Sequence, residues 1–352
     1  MPLSLDGPST QVGARRTAGR IADLQVRLGI ATQEVSTGTK ADASGELGAR
    51  TSVLLGLRAA HARAGQYQAG GALLSARLDG MHAALSGMRE ATGTLAARAE
   101  AALGRGDALS LDTVRRDAID ALETVQRLLN TSVAGRHLFA GSAIERAPLP
   151  GGPDAEGFLD ATIQAHAAGG TVGSTEIGAL IDDLDATFDD SHADPARRFS
   201  TVYYAGADPD EPPLAARIDE ASEVAYGVKA SDPALRDLLQ GLRMLAGIGP
   251  GDARMSEEAH VTFVREGASR LQRGLDGLDG LVLATGRNQA TVANGRERLE
   301  DARALYNNQI VELEGRDPYE ASLRLTALEQ QMEATFAVTA RLADLSLLRY
   351  LR

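Results

Sequence analysis

A chain of 352 residues exceeds what one compact hydrophobic core ordinarily supports, so its length calls for two or more domains or for one elongated body. Its formal net charge of -12 argues against nucleic acid or an anionic membrane surface as a partner, and no run of about 18 apolar residues is present to span a bilayer. With no Cys there are no disulfides, thiolate metal sites or cysteine nucleophiles, and with no Trp, 6 Phe and 7 Tyr burial falls to Ala and Leu, strong helix formers, so the expected fold class is mostly α.

Residues 1–20 hold Pro, Gly, Ser, Thr and Arg without the apolar stretch of a secretory signal peptide. Periodicity then sets in: Ile21, Leu24, Leu28, Ala31 and Val35 are spaced three, four, three, four, which is a heptad seam on a helix. The Ser/Thr/Gly/Asp-rich stretch from Ser36 to Gly48 interrupts it. From Val53 a second seam runs through Leu57, Ala64, Leu74, Leu78, Met81, Leu85, Met88 and Leu95 to Ala102 without a broken step, which predicts one continuous helix on the order of 75 Å long at about 1.5 Å per residue. The turn Gly104-Arg105-Gly106-Asp107 ends it, and Leu111, Val114, Ala118, Leu122, Val125 and Leu129 carry a third helix that doubles back as a hairpin.

The composition changes between about Gly141 and Gly251, where Gly, Pro and Asp dominate and a small inserted α+β domain is expected. Ser200–Tyr204, Leu214–Ile218 and Val224–Val228 read as short strands; Glu176–Phe188 and Pro233–Leu245 read as amphipathic helices. Heptad patterning returns from Val261 to Leu313, breaks at Gly315–Pro318, and resumes with Ala321, Leu325, Leu328, Met332, Thr335, Thr339, Leu342 and Ser346. The division that follows is 1–48, a terminal helix region; 49–141, a long-helix hairpin; 142–251, the insert; 252–315, a long helix; and 316–352, a second terminal helix.

No chemistry is signalled. The six histidines, His61, His82, His137, His166, His192 and His260, never take a metal-ligand spacing, and no Walker loop, dinucleotide fingerprint or G-x-S-x-G elbow is present. The acidic cluster Asp182, Asp183, Asp185, Asp189 and Asp190 lacks the Gly and terminal Glu of a calcium loop and reads as a solvated helix face. Arg105-Gly106-Asp107 and the sequon Asn130-Thr131-Ser132 are short enough to arise by chance. The expectation is a protein that is not an enzyme, with no cofactor, no metal and no catalytic residue.

Three stretches together carry a resemblance. Glu34-Val35-Ser36-Thr37-Gly38 closes the first helix before a long one, Leu345-Ser346-Leu347-Leu348 stands near the end of the last, and Gly135-Arg136-His137-Leu138-Phe139-Ala140-Gly141-Ser142 marks the exit from the N-terminal helices. In these the chain resembles the bacterial flagellin family, and in Gly135, Arg136, Leu138, Phe139, Gly141 and Ser142 its hook-filament junction branch. The resemblance implies an elongated flagellin-like helical bundle, a coiled coil assembled from both chain ends, around the inserted domain. Ile21, Leu24, Leu28 and Val35 would pack with Leu325, Leu328, Met332, Leu342, Leu345 and Leu348 as the assembly element. It implies a structural subunit of the flagellum at the junction between hook and filament; a filament-forming flagellin, or an unrelated cytoplasmic coiled-coil scaffold, are the alternatives. The implied partners are further copies of the chain, a neighbouring hook-associated protein, flagellin and an export chaperone. The implied location is extracellular, reached by the flagellar type III route without a cleaved signal peptide.

Overall fold

The structure, a computed structural model, describes residues 8–167 and 170–350, with residues 8–14, 153–154 and 342–350 as backbone only. In chain order the elements are helices α1 (Pro8–Thr37), α2 (Ala43–Leu47), α3 (Thr51–Thr92), α4 (Leu95–Arg105) and α5 (Ala108–Leu129), then strands β1 (Ser132–Val133) and β2 (Arg136–His137). Next come α6 (Pro153–Ala167), α7 (Ile177–Phe188), α8 (Phe199–Val202), strands β3 (Ala215–Arg217) and β4 (Glu223–Ala225), α9 (Pro233–Gly247), α10 (Glu257–Glu314) and α11 (Pro318–Tyr350). The chain is a mostly α bundle of long helices with a small inserted domain, and it divides into two compact units: residues 1–65 with 300–352, and residues 66–299.

The first unit is built from the chain ends. Helix α1 stops at Gly38, whose positive φ of 67° turns the chain while its N–H still reaches Glu34 O at 2.9 Å. Asp42 then caps α2 by accepting from Gly45 N at 2.9 Å. Helix α1 packs along α11, and among the described residues the apolar side chains buried here are few and mostly small: Leu24, Ala31, Leu54, Ala64 and Ala321.

The second unit has a conventional core. The expected continuous helix through Ala102 is interrupted, because α3 ends at Thr92 and α4 begins at Leu95. The apolar seam does run on, but Gly93 and Thr94 are poor helix interior residues, and the buried Thr92 hydroxyl donates back to Met88 O at 2.7 Å, a bond that bends helices. The predicted hairpin is present: Gly106, with φ 66°, ends α4, Asp107 accepts from Ser110 N at 2.7 Å to start α5, and the two helices pack together. Helix α9 lies on α5 and also meets α10 at close range, since a Cβ on Gly241 would collide with the backbone of Leu271, and one on Gly274 with that of Leu238.

Within the insert, two expectations are corrected. Ser200–Tyr204 is not a strand: its first residues form the helical turn α8, which lets Tyr203 stack on Phe188 at 5.2 Å between ring centroids and sets Phe199 tilted against Phe188 at 5.8 Å. Helix α6 was not anticipated inside a Gly/Pro-rich stretch; it buries Leu159 and Ile163 against a second core made with α7, Met244, Met255 and Phe263. The strands expected at Leu214–Ile218 and Val224–Val228 are present as the shorter pair β3 and β4, antiparallel with Ala216 opposite Val224. Beside them Lys229 folds back so that its ammonium donates to the carbonyls of Asp208 (3.1 Å), Glu211 (2.6 Å) and Pro209.

Candidate assembly surface at the chain ends

In the first unit two turns from opposite ends of the sequence clasp each other. The loop after α1 and the turn between α10 and α11 form an antiparallel bridge at Thr39 and Gly315, with Lys40 N donating to Glu314 O at 2.8 Å and Arg316 N to Gly38 O at 2.9 Å. The Lys40 ammonium caps the end of α10 by donating to Leu313 O at 2.8 Å, which suits a cation at a helix C-terminus.

At the centre of the clasp lies Glu34, only 1% exposed. Its carboxylate accepts from Ala41 N at 3.2 Å, Arg316 Nε at 3.2 Å and Arg316 Nη2 at 3.4 Å, with Arg324 Nη1 at 3.8 Å. Arg316 also donates to Glu46 Oε1 at 3.0 Å. Burial by itself pushes the Glu34 carboxyl up, but the hydrogen bonds from Arg316 and Ala41 and the charges of Arg316 and Arg324 outweigh it and hold the group below its ordinary value. The carboxylate is therefore ionised at neutral pH.

Around the clasp, the seam residues read from the sequence fall into three sets. Leu24 is buried, and Ile21, Leu28, Leu325, Leu328 and Met332 are half-buried on α1 and α11. Val35 is 39% exposed, because at the last turn of α1 the inward position is taken by Glu34 instead. Leu342, Leu345 and Leu348 lie on the helical backbone of α11, but their side chains fall outside the described residues. A further set of apolar side chains faces water in the isolated chain: Val26 and Ile30 on α1, one turn apart, and Leu323, Phe336 and Val338 on α11. Glu34, Lys40 and Arg316 were not among the residues read from the sequence. From Ala31 the seam can step by three or by four, and apolarity favoured Val35 over Glu34; the only opposing signal is an arginine placed between Gly315 and Pro318.

The signature stretch belongs to the second unit. Ala134 and Gly135, with φ of 52° and 74°, make the two-residue turn joining β1 to β2, a geometry that needs two positive φ values. Arg136 is exposed on β2, while Leu138 and Phe139 are buried. Phe139 O accepts from Ala230 N at 2.8 Å and Ala140 O from Ala207 N at 2.9 Å, so this stretch stitches the helical core to the insert. Gly141, with φ 64°, passes close under Ala207, and the Ser142 hydroxyl donates to Glu211 Oε2 at 2.8 Å. The sequon has a structural role: the Asn130 side chain donates to Leu149 O at 2.7 Å and accepts from Leu149 N at 2.9 Å.

The acidic cluster of the insert is not simply a solvated face. Asp183 lies between His166 Nε2 at 3.0 Å, His192 Nε2 at 2.9 Å and Arg197 Nη2 at 2.7 Å, and Asp185 bonds the buried Arg270. Burial pushes the Asp183 carboxyl up, yet its bonds to His166 and His192 and the Arg197 charge hold it below the ordinary range. Among the described residues no group of three or more His, Cys, Asp or Glu is arranged to hold a metal ion, and no helix is long and apolar enough to cross a membrane.

Two family models match this chain. One, the bacterial flagellin N-terminal helical region, covers residues 9–143; the other, the bacterial flagellin C-terminal helical region, covers residues 283–351, and together they take in more than half of the sequence. The chain belongs to the bacterial flagellin family. This flagellin-family chain is thus a structural protein of the flagellum, exported to that organelle. Among solved structures it is similar to FlgL of Bacillus cereus, at 13% identity and a TM-score of 0.43, over 75% of this chain and 98% of that one. It is also similar to a protein of Vibrio parahaemolyticus described as flagellar hook-associated, at 10% identity and a TM-score of 0.49, over 76% and 99% of the two chains. No curated protein matches it.

Proposed function

We propose that this flagellin-family chain is the junction subunit between hook and filament. The observation that carries the reading is the double use of the terminal helices. Some apolar side chains of α1 and α11, such as Leu24 and Ala321, are turned inward within the chain, while others, Val26, Ile30, Leu323, Phe336 and Val338, spread over more than one helix face, are left in water, where they suit packing on neighbouring copies. The stretch Gly135–Ser142, matching the junction branch, favours the junction over a filament-forming flagellin. In this role the chain contacts a hook-associated neighbour on one side and flagellin on the other. It travels through the flagellar type III route, with an export chaperone covering α11 until assembly.

Deletion of the gene, followed by fractionation of the medium, tests this. The expected result is an intact hook, no filament, and unpolymerised flagellin shed outside the cell. Intact filaments would instead assign the chain as a minor flagellin.

A further inference from the structure

The apolar seam of the terminal pair does not by itself select one alignment. Ile21, Leu24, Leu28 and Ala31 on α1, and Leu325, Leu328, Met332, Thr335 and Thr339 on α11, repeat at steps of three and four. Sliding one helix past the other by a heptad, about 10.5 Å at 1.5 Å per residue, would therefore set similar side chains against similar side chains. Few of these residues are fully buried, so the contact is shallow and little packing would be lost by the shift.

Glu34 breaks this degeneracy. We propose that its buried carboxylate, held by Arg316, is the register key of the terminal helix pair, a positioning residue for assembly. Arg316 lies two residues before Pro318, the first residue of α11, so fixing it fixes the axial position of that helix. It is itself anchored by its N–H on Gly38 O at 2.9 Å and by Glu46 at 3.0 Å. A shift that carries Arg316 away strips the buried Glu34 carboxylate of two of its three hydrogen bonds and leaves it only Ala41 N–H and the longer contact to the exposed Arg324, a cost that exceeds the loss of a few methyl contacts. The pair thus acts mainly against the wrong alignments, as a buried polar residue does in a coiled coil.

This deepens the assembly reading of the same helices, and it can be tested in the soluble chain, apart from the junction assignment. Because the sequence has no Cys, spin labels can be placed on two introduced cysteines, Gln25→Cys and Gln330→Cys, both at exposed positions. The expected result is one narrow distance in the parent. In Glu34→Leu, helicity by circular dichroism stays unchanged while the distance broadens or splits, with a population displaced along the helix by about 10 Å. A narrow, unshifted distance in Glu34→Leu would overturn the inference. If Glu34→Leu loses helicity, Arg316→Met is read in the same way, and a narrow distance there overturns it equally. Loss of junction function with an unchanged distance would also overturn it, since register would then not be what Glu34 supplies. Persistence of filaments after gene deletion bears only on the junction reading.

Discussion

The two units bury their apolar residues in different ways. The second closes over Phe139, Phe199, Phe263, Leu78, Met81, Leu85 and Leu180, all less than 2% exposed, and each sits among partners from its own unit. The first has no buried aromatic among its described residues; its interior is Leu24, Leu54, three alanines and a charged Glu34, while Val26, Val53, Leu55, Leu305, Val311, Leu323 and Phe336 face water. At about 25 cal/mol per Å² of apolar surface buried, a pair of long helices joined mainly through alanine and half-buried leucine gains little to set against its conformational entropy. One unit is folded for itself, and the other is shaped for neighbours.

The largest effect expected to test this contrast comes from Phe139→Ala. It removes a fully buried ring and should destabilise the second unit by about 3–5 kcal/mol in thermal or urea unfolding, with the first unit's signal unaffected. A loss below about 1 kcal/mol would show that this core is not what holds the unit together. Hydrogen exchange in a dilute monomer gives the next largest: amides of residues 15–40 and 320–341 should exchange at least about 100-fold faster than those of α5 and α9, a difference of roughly 2.7 kcal/mol in local opening. Equal protection would remove the contrast altogether.

Acid sharpens it further. Asp183 is held below its ordinary value, so its contribution is whole above the unfolded value near pH 4 and is lost as pH falls through the folded one. Asp183→Asn should cost about 1–3 kcal/mol at neutral pH, and its unfolding temperature should converge with that of the parent as pH falls through the lowered folded value. Parallel curves throughout the acid range would mean that the carboxylate does not hold the insert. The smallest effect on the monomer belongs to Phe336→Ser. At an exposed position it should change unfolding by less than about 0.5 kcal/mol, yet reduce incorporation into the flagellum, scored by motility and by the subunit retained on sheared hooks. Normal incorporation would take Phe336 out of the assembly surface.

Long, strongly periodic segments were legible in the sequence, since the heptad spacing of α1, α5, α10 and α11 is a direct imprint of helix geometry. What periodicity could not reveal was where a helix breaks while its stripe continues, as at Gly93 and Thr94. It also failed where a short stretch is decided by its neighbours: Phe199–Val202 has the residue types of a strand, but Phe188 and Tyr203 reward a helical turn. At the chain ends the seam itself was readable, including Leu24 and Leu328. Its most buried charge was not, because a carboxylate beside a valine gives no sign of the arginine almost three hundred residues away that makes its burial tolerable.

The placement of the two lysines has a practical consequence. They are the only lysines in the sequence, and both ammonium groups are engaged by backbone carbonyls: Lys40 at the end of α10 in the first unit, Lys229 in the loop at 208–211 in the second. An amine hydrogen-bonded in this way acylates slowly, and it becomes reactive when its loop opens. Timed exposure of the unmodified protein to an amine-selective acylating reagent, followed by peptide mass measurement, therefore supplies one clock for each unit.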